Sequence, residues 1–323
     1  MMLNDQVITL KNDYLKIIVS TLGGTLMDFQ VKNLKGVYES IVLGYENLED
    51  YNHNLKNLGA NIAPFAGRLY PTKIELNDKE YFLEANFKNK VCLHSASDNT
   101  SKMPFSIQKQ TDTYLLLNFT DQLTFFPNLN FSISYTLDKN NLVITYTGSS
   151  KTYAIFNPTN HSYFNLSGIK QDTIENHSLK MKADYFYELD ENFLPLQLIS
   201  VDNTDFDFKK SRKLGPSLKN LSHTAQKGID HPFKLNNYPI QLLDEISRRE
   251  LLIESDYPYV VIYTNNYPTH QNLRFNQTDR SYLGICFECQ YVPNNLFLKG
   301  EDSSIIPPNK EVSHYIKYTI NKT

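Results

Sequence analysis

The chain has no tryptophan, few cysteines and no long hydrophobic run. Its 323 residues include 3 Cys, 12 Gly and 14 Pro, against 22 Tyr and 19 Phe. Nowhere does it approach the roughly 18 uninterrupted apolar residues that a membrane-spanning helix requires. Residues 1–16 carry Asn, Asp and Lys where a secretory signal needs an apolar run. An odd number of cysteines in a chain of this length is typical of a reducing compartment. We therefore expect a cytoplasmic protein that does not associate with a membrane.

Charge and short motifs exclude further classes of protein. The 32 Lys and Arg nearly balance the 35 Asp and Glu, the formal net charge is -3, and no basic block could neutralise a row of phosphates. We therefore expect no nucleic-acid partner. The chain lacks the motifs G-x-G-x-x-G and G-x-x-x-x-G-K that hold dinucleotides and ATP. It also lacks H-E-x-x-H and G-x-S-x-G, which excludes the simplest zinc protease and esterase.

The chain does contain many short segments with the pattern of strands. Apolar residues alternate with polar ones, β-branched and aromatic residues are frequent, and Asn, Asp, Lys and Gly separate the runs. Two segments, FSISYTLDKNNLVITYTG and ELNDKEYFL, each predict a hairpin. The pattern indicates an all-β protein, an antiparallel sandwich folded as one domain over residues 1–323. The predicted strands cover residues 7–10, 14–19, 81–83, 113–119, 131–137, 142–147, 260–264 and 315–320.

Helical periodicity is scarce. Two short segments, residues 48–55 and 240–251, are the best helix predictions. The polar residues 209–228 predict a long surface loop. No internal repeat, low-complexity segment or change of composition marks a linker between domains.

A first polar segment, NPTNHSYFNLSG, covers residues 157–168. Its His161, Tyr163 and Asn165 lie two apart, so an extended backbone would place all three on one face. A histidine in such a row can donate or accept a proton near neutral pH. A histidine that is only bonded to its neighbours on the surface of a sheet is the alternative.

A second segment, LGICFECQYVP, places a glutamate inside a hydrophobic strand. Glu288 shares one face with Cys286 and Gln290, while Ile285, Phe287 and Cys289 form the other. A carboxylate is costly to bury unless it is paired or lines a wet cavity, which favours a functional role. The C-x-x-C of Cys286 and Cys289 does not predict a metal site, because a strand sends the two to opposite faces and no second pair exists.

Three further candidates lie elsewhere in the chain. Asp230 stands in the loop-like segment GIDHPF, where it could instead cap an Asx turn. Arg68 ends the segment GANIAPFAGR, and His94 follows in CLHS; Arg68 could equally be an ion-paired surface residue. With His161 and Glu288, these residues supply two histidines, an arginine and two carboxylates. This set suits acid-base chemistry on a neutral polar ligand.

Taken together, these segments resemble the aldose 1-epimerase, or galactose mutarotase, family. NPTNHSYFNLSG is similar to the family's T-N-H-x-Y-F-N-L signature, GICFECQYVP to its L-E-x-Q strand, and GIDHPF to its G-x-D-H-x-F loop. GANIAPFAGRL, CLH and IIPPNKEVSHYIKY are similar to three further segments, in family order between residues 59 and 318. The resemblance implies a large antiparallel β-supersandwich with its site on a concave sheet.

The resemblance also implies a reaction and residue roles. The reaction would interconvert the α and β anomers of an unphosphorylated aldose such as galactose or glucose, without a cofactor or metal. Glu288 would be the general base at the anomeric hydroxyl, and His161 the general acid at the ring oxygen. Arg68, His94 and Asp230 would hold the sugar hydroxyls. As the acid, His161 is expected to be protonated at rest, beside a carboxylate or another acceptor.

Several positions depart from the family pattern. Gly67 replaces an Asn, Pro64 an Arg and Val261 a Gln, while Ser95 and Ala96 stand where the family has two glycines. The acid and base are kept, but part of the shell that orients the sugar is not. Three alternatives remain at this point: an epimerase of phosphorylated sugars, a glycosidase that uses Asp230 with Glu288, and a sugar-binding sandwich without turnover. No cluster of arginines favours the first, and about 5 to 10 Å between the two carboxylates would be needed for the second.

Overall fold

The structure, a computed structural model, describes residues 5–33, 35–168 and 172–322. Strands dominate it, and each pairing between its strands is antiparallel. The predicted all-β, antiparallel class is confirmed. No helix among the described residues is long and apolar enough to cross a membrane.

Three sheets make up most of the molecule. A four-stranded sheet has the order Val7–Lys11, Leu15–Ser20, Leu26–Lys32, Tyr38–Ser40. A nine-stranded sheet has the order Phe105–Gln110, Tyr114–Phe119, Leu129–Asp138, Asn141–Ser150, Glu311–Lys322, Arg249–Ser255, Ile240–Asp244, Ser178–Lys180, Arg212–Lys213. A six-stranded sheet has the order Tyr163–Phe164, Ile285–Gln290, Tyr259–Tyr263, Asp230–Lys234, Tyr185–Leu189, Pro195–Ser200.

Smaller elements connect and cover these sheets. In the described part of the chain, five two-stranded ribbons pair Asn61–Ile62 with Thr159–Asn160, Arg68–Leu69 with Cys92–Leu93, Lys73–Leu76 with Lys79–Phe82, Ala154–Ile155 with Ile305–Ile306, and Asn272–Leu273 with Gln277–Thr278. The described helices are the α-helix Leu214–Leu221 and the 3₁₀ helices Leu48–Asn52, Ala96–Asp98, Thr100–Lys102, Ile174–Asn176 and Asn295–Phe297.

The six-stranded sheet buries one face against the nine-stranded sheet. Phe164 from its edge strand contacts Phe287 at a ring separation of 6.4 Å and Tyr318 of the nine-stranded sheet at 5.1 Å. Both phenylalanines and Tyr318 are fully buried. The largest hydrophobic cluster contains side chains from Ile8 to Ile320, so both ends of the chain share it. This shared core supports the prediction of one domain, which stays a prediction.

Both hairpins predicted from the sequence form. Strands Leu129–Asp138 and Asn141–Ser150 pair Asp138 with Asn141 across a two-residue loop. In the shorter hairpin, Asn77 and Asp78 have φ of 49° and 62°. Positive φ at both loop residues matches the twist of paired strands, and Asn and Asp tolerate it well.

Two predictions of helix and one of loop need correction. Residues 240–251 are not helical: they belong to the strands Ile240–Asp244 and Arg249–Ser255, whose buried residues alternate. Residues 48–55 form only the 3₁₀ helix Leu48–Asn52. The predicted loop 209–228 contains the α-helix Leu214–Leu221, which buries Leu214, Leu218 and Leu221 at helical spacing.

Candidate active site

The strand Ile285–Gln290 separates core from site. Phe287 and Cys289 belong to the main core, whereas Cys286 belongs to a different cluster on the opposite face. Glu288 points away from the main core into a cavity and is only 4% exposed. The predicted alternation of this strand is therefore confirmed, and Cys286 and Cys289 do lie on opposite faces.

The cavity has a volume of about 360 Å³. It brings together the five residues that the sequence analysis selected, although they come from five separate parts of the chain. Aromatic, aliphatic and amide side chains complete its wall. The lining residues are Gly67, Arg68, Phe87, Lys88, His94, His161, Phe193, Asp230, Val261, Tyr263, Tyr267, Glu288, Gln290 and Pro293.

A short ribbon positions Arg68 and His94. Arg68 pairs in register with Leu93, the residue before His94. The Gly67 N–H donates to Nδ1 of His94 at 3.1 Å, and the His94 N–H donates to the Gly67 carbonyl at 2.8 Å. Because Nδ1 accepts, the neutral ring carries its proton on Nε2. Burial lowers the pKa of His94 well below its usual value, so His94 is a neutral donor.

Arg68 and Asp230 form an ion pair in the cavity wall. Nη2 of Arg68 lies 3.2 Å from Oδ2 of Asp230. Asp230 is the first residue of the strand Asp230–Lys234 and pairs in register with Tyr263. It therefore lies in a strand, and the predicted loop at GIDHPF is wrong. Phe87 and Phe193 flank the Arg68 guanidinium, each with its ring centre 5.1 Å away.

His161 and Glu288 lie side by side. Nε2 of His161 is 3.5 Å from Oε1 of Glu288, and its Nδ1 is 3.4 Å from Sγ of Cys286. The His161 ring also packs against Tyr163 at a centre-to-centre distance of 5.1 Å. The carboxylate neighbour expected for His161 is thus present.

Burial dominates the protonation of this pair. Desolvation raises the pKa of Glu288 to about 8 and lowers that of His161 to about 4. Asp230 raises the Glu288 pKa further, whereas Arg68 lowers it. Burial therefore opposes the protonation of His161 that the resemblance implies, whereas the charge of Asp230 favours it.

His94, His161 and Glu288 could be mistaken for a metal site. One ligand atom from each lies within 4.8 Å of the others. The Gly67 N–H already occupies Nδ1 of His94, and Nε2 carries the proton. Neither nitrogen of His94 offers a free lone pair, so these residues form a hydrogen-bonding set that fits a metal poorly.

Not every residue of the polar segments lies at the cavity. Asn165 does not share the face of His161, since its amide donates to the carbonyls of Asp172 and Leu283 at 2.7 Å each. Among the positions that depart from the family pattern, Gly67 and Val261 line the cavity. Ser95 instead bonds the backbone of Phe65, and Pro64 accepts from the Asn157 N–H.

Several cavity residues were missed by the sequence analysis. Gln290 could have been found, because it lies two residues after Glu288 on the same face. Phe87, Lys88 and Phe193 lie outside the named strands and belong to no motif. No pattern in the sequence identifies them.

Comparison with known proteins decides the family. Residues 6–319 match the family model described as aldose 1-epimerase. The chain belongs to the aldose 1-epimerase family. A galactose mutarotase of Mus musculus is 28% identical over 96% of this chain and 93% of the relative. An aldose 1-epimerase of Streptococcus thermophilus is 30% identical over 94% and 90%. The crystal structure of a galactose 1-epimerase from Lactobacillus acidophilus superposes with a TM-score of 0.82 at 27% identity, covering 98% and 94%.

Membership of the aldose 1-epimerase family settles the broad assignment. The fold is the β-supersandwich that the sequence resemblance implied. The chain is an enzyme, an isomerase that acts on a carbohydrate. The glycosidase and the sugar-binding protein without turnover are not favoured.

Proposed function

We propose that the chain equilibrates the α and β anomers of free galactose or glucose, with Glu288 as general base and His161 as general acid. The observation that carries this proposal is the 3.5 Å contact between the two side chains in the cavity. Ring opening removes a proton from the hydroxyl on C1 and delivers one to the ring oxygen. Both oxygens are bonded to C1, so the base and the acid must be close neighbours.

Each step conserves protons and electrons. The Glu288 carboxylate takes the O1 proton, the C1–O5 bond breaks as His161 protonates O5, and C1 becomes an aldehyde carbon. After rotation about C1–C2, His161 takes the proton back from the O5 hydroxyl as O5 attacks the other face of C1. Glu288 then returns its proton to O1. The products are the opposite anomer and the original enzyme.

The pair needs only one proton for this cycle. The raised pKa of Glu288 and the lowered pKa of His161 both favour a state in which a single proton rests on Glu288. Its transfer to His161 creates one base and one acid without exchange with solvent. The two pKa values therefore belong to the pair as a whole.

Arg68, His94 and Asp230 hold the sugar in this proposal. Arg68 and His94 offer N–H donors, and Asp230 offers acceptor oxygens, which together complement vicinal hydroxyls. Arg68 is already paired with Asp230. A phosphate would have to compete with this carboxylate, which favours an unphosphorylated sugar.

Polarimetry tests the reaction and the roles together. We expect the wild-type protein to accelerate mutarotation of freshly dissolved α-galactose or α-glucose, and not of the 6-phosphates. Glu288→Gln and His161→Asn should each lower kcat by about 10²-fold or more. The matched controls Glu254→Gln and His53→Asn lie elsewhere and should keep wild-type rates. Wild-type rates in Glu288→Gln or His161→Asn, with unchanged circular dichroism, would refute the assigned roles, and a preference for phosphates would refute the substrate.

We also propose that the protein works in the cytoplasm. Cys92, Cys286 and Cys289 are all free and buried, as suits a reducing compartment. Fractionation of the source cells tests this, and recovery with secreted proteins would contradict it.

A further inference from the structure

We propose that Gln290 binds a hydroxyl on the C3–C4 side of the sugar and so contributes to recognition of the aldose. This inference rests on the proposed function, because the proposed function places C1 of the sugar at His161 and Glu288. Gln290 lines the same cavity and belongs to the same strand as Glu288.

The spacing of the strand suits this role. Glu288 and Gln290 lie two residues apart on one face, which is about 6.6 Å along a strand. That separation is comparable to the distance across a pyranose ring from the hydroxyl on C1 to the one on C4. With C1 beside Glu288, the opposite side of the ring lies at Gln290.

The amide of Gln290 has no hydrogen-bond partner among the described residues. Gln290 is fully buried, and neither its Oε1 nor its Nε2 forms a hydrogen bond within the described part of the chain. Among the described residues it is the one buried side-chain amide for which this is so. Asn61 shows the usual arrangement, with its Nδ2 donating to the Gly24 carbonyl and to the Tyr135 hydroxyl. A buried amide without partners is costly, so a ligand that supplies them is favoured.

The absence of a side chain on Gly67 provides the space that the Gln290 amide occupies. A Cβ on Gly67 would lie 3.2 Å from Oε1 of Gln290 and 2.8 Å from Cγ of Pro293. The φ of Gly67, +77°, is also one that other residues rarely adopt. The Gly67 N–H donates to His94 and leaves the amide of Gln290 free. A side chain at residue 67 would therefore crowd the end of Gln290.

The neighbouring part of the cavity wall is apolar, so the Gln290 amide is the more important for hydrogen bonding to the sugar there. On the neighbouring strand Val261 pairs in register with Glu288 and presents no polar atom to the cavity. An amide supplies one acceptor and two donors, which match a hydroxyl in either orientation. Galactose and glucose differ only in the orientation of the C4 hydroxyl. A hydrogen bond from this position would therefore help to distinguish them.

Deoxy sugars test the contact directly. We would compare the wild type with Gln290→Met, a close match in shape, using galactose and its 2-, 3- and 4-deoxy analogues. We expect Gln290→Met to lower kcat/KM for galactose and 2-deoxygalactose by about 5- to 30-fold. The loss should disappear for the 3-deoxy or the 4-deoxy sugar, whichever lacks the bonded hydroxyl. An equal loss for all four sugars would overturn the inference.

Thermal unfolding separates recognition from a structural role. Replacing an unpaired buried amide by Met should keep or raise the Tm of the sugar-free protein. It should also reduce the rise in Tm that galactose produces in the wild type. A lower Tm without sugar, together with an unchanged rise on adding galactose, would show that the amide supports the fold and would overturn the inference.

Calorimetric titration with galactose distinguishes the two proposals. If the wild type binds galactose more tightly than Gln290→Met does but accelerates no mutarotation, the proposed function fails and the contact stands. If both bind equally, the contact fails whatever the activity. A wild type that binds no sugar refutes both.

Discussion

At the scale of single residues, desolvation has more influence on the site than the pairing of charges. Glu288 is an acid and His161 is a base, so their proximity by itself would stabilise the charged carboxylate and the charged imidazolium. Both are instead displaced toward their neutral forms, because each is almost completely buried. A proton can therefore pass between two neutral groups without first creating an isolated buried charge.

The pKa values of Glu288 and His161 predict a pH profile that is flat in the middle and falls on both sides. Below about pH 4 the pair gains a second proton and loses its base; above about pH 8 it loses its only proton and has no acid. We expect kcat/KM for galactose to be constant between these limits and to fall about tenfold per pH unit beyond them. Polarimetry across this range, with the buffer-catalysed rate subtracted, measures the profile. A single limb near pH 6.5, the pKa of an unperturbed histidine, would contradict it.

Replacing Arg68 and replacing Asp230 should shift the alkaline limb of the pH profile in opposite directions. Arg68 lowers the Glu288 pKa and Asp230 raises it. Arg68→Met should therefore move the alkaline limb to higher pH, and Asp230→Asn should move it to lower pH. Both variants should raise KM by about 10-fold or more, since each removes a charged sugar contact and leaves the other charge unpaired.

Steady-state kinetics at several pH values distinguish these two effects. The control Lys317→Met removes a cation that pairs with Glu254 on the nine-stranded sheet. It should change neither KM nor the profile. Limbs that move in the same direction in Arg68→Met and Asp230→Asn would show that the charges do not act on Glu288 as inferred.

At the scale of elements, alternation predicted strands well where each strand has one buried face. The two hairpins are examples, since their turn residues also agree with their alternation. The prediction of a helix over residues 240–251 was wrong because a turn divides two strands there. The leucines and isoleucines of the two strands together have a spacing that resembles that of a helix. The helix Leu214–Leu221 was missed because its neighbours are polar, although its three buried leucines carried the signal.

The strand that carries Glu288 packs into the core through the face opposite to Glu288. Phe287 is fully buried against Phe164. We expect Phe287→Ala to lower the free energy of unfolding by about 3–5 kcal/mol, through lost burial and the cavity that remains. Tyr315→Ala, at a position that is 40% exposed on a strand of the nine-stranded sheet, is the control and should cost much less. Urea unfolding followed by far-ultraviolet circular dichroism measures both, and equal losses would contradict the packing described.

At the scale of the whole molecule, the site exists only because distant segments meet. Arg68 and Asp230 form their ion pair across 162 residues of sequence. Periodicity could predict strands and could mark Glu288 as costly to bury, but it carries no information on which strands neighbour each other. The order of the segments within a family pattern supplied that information. Phe87 and Phe193 lie outside the selected set because their place in the cavity wall depends on packing, whereas Gln290 shares the face of Glu288 and alternation could have identified it.

The shared core leads to a last prediction, about cooperativity. Side chains from Ile8 to Ile320 form the main cluster, so unfolding either end should remove contacts from all three sheets. We therefore expect the chain to unfold in urea as one unit, as a single domain would. Since it has 22 Tyr and no Trp, tyrosine fluorescence reports on the whole molecule, and far-ultraviolet circular dichroism reports on the strands. The two transitions should coincide, and separate midpoints would show that the chain contains more than one independently folding unit.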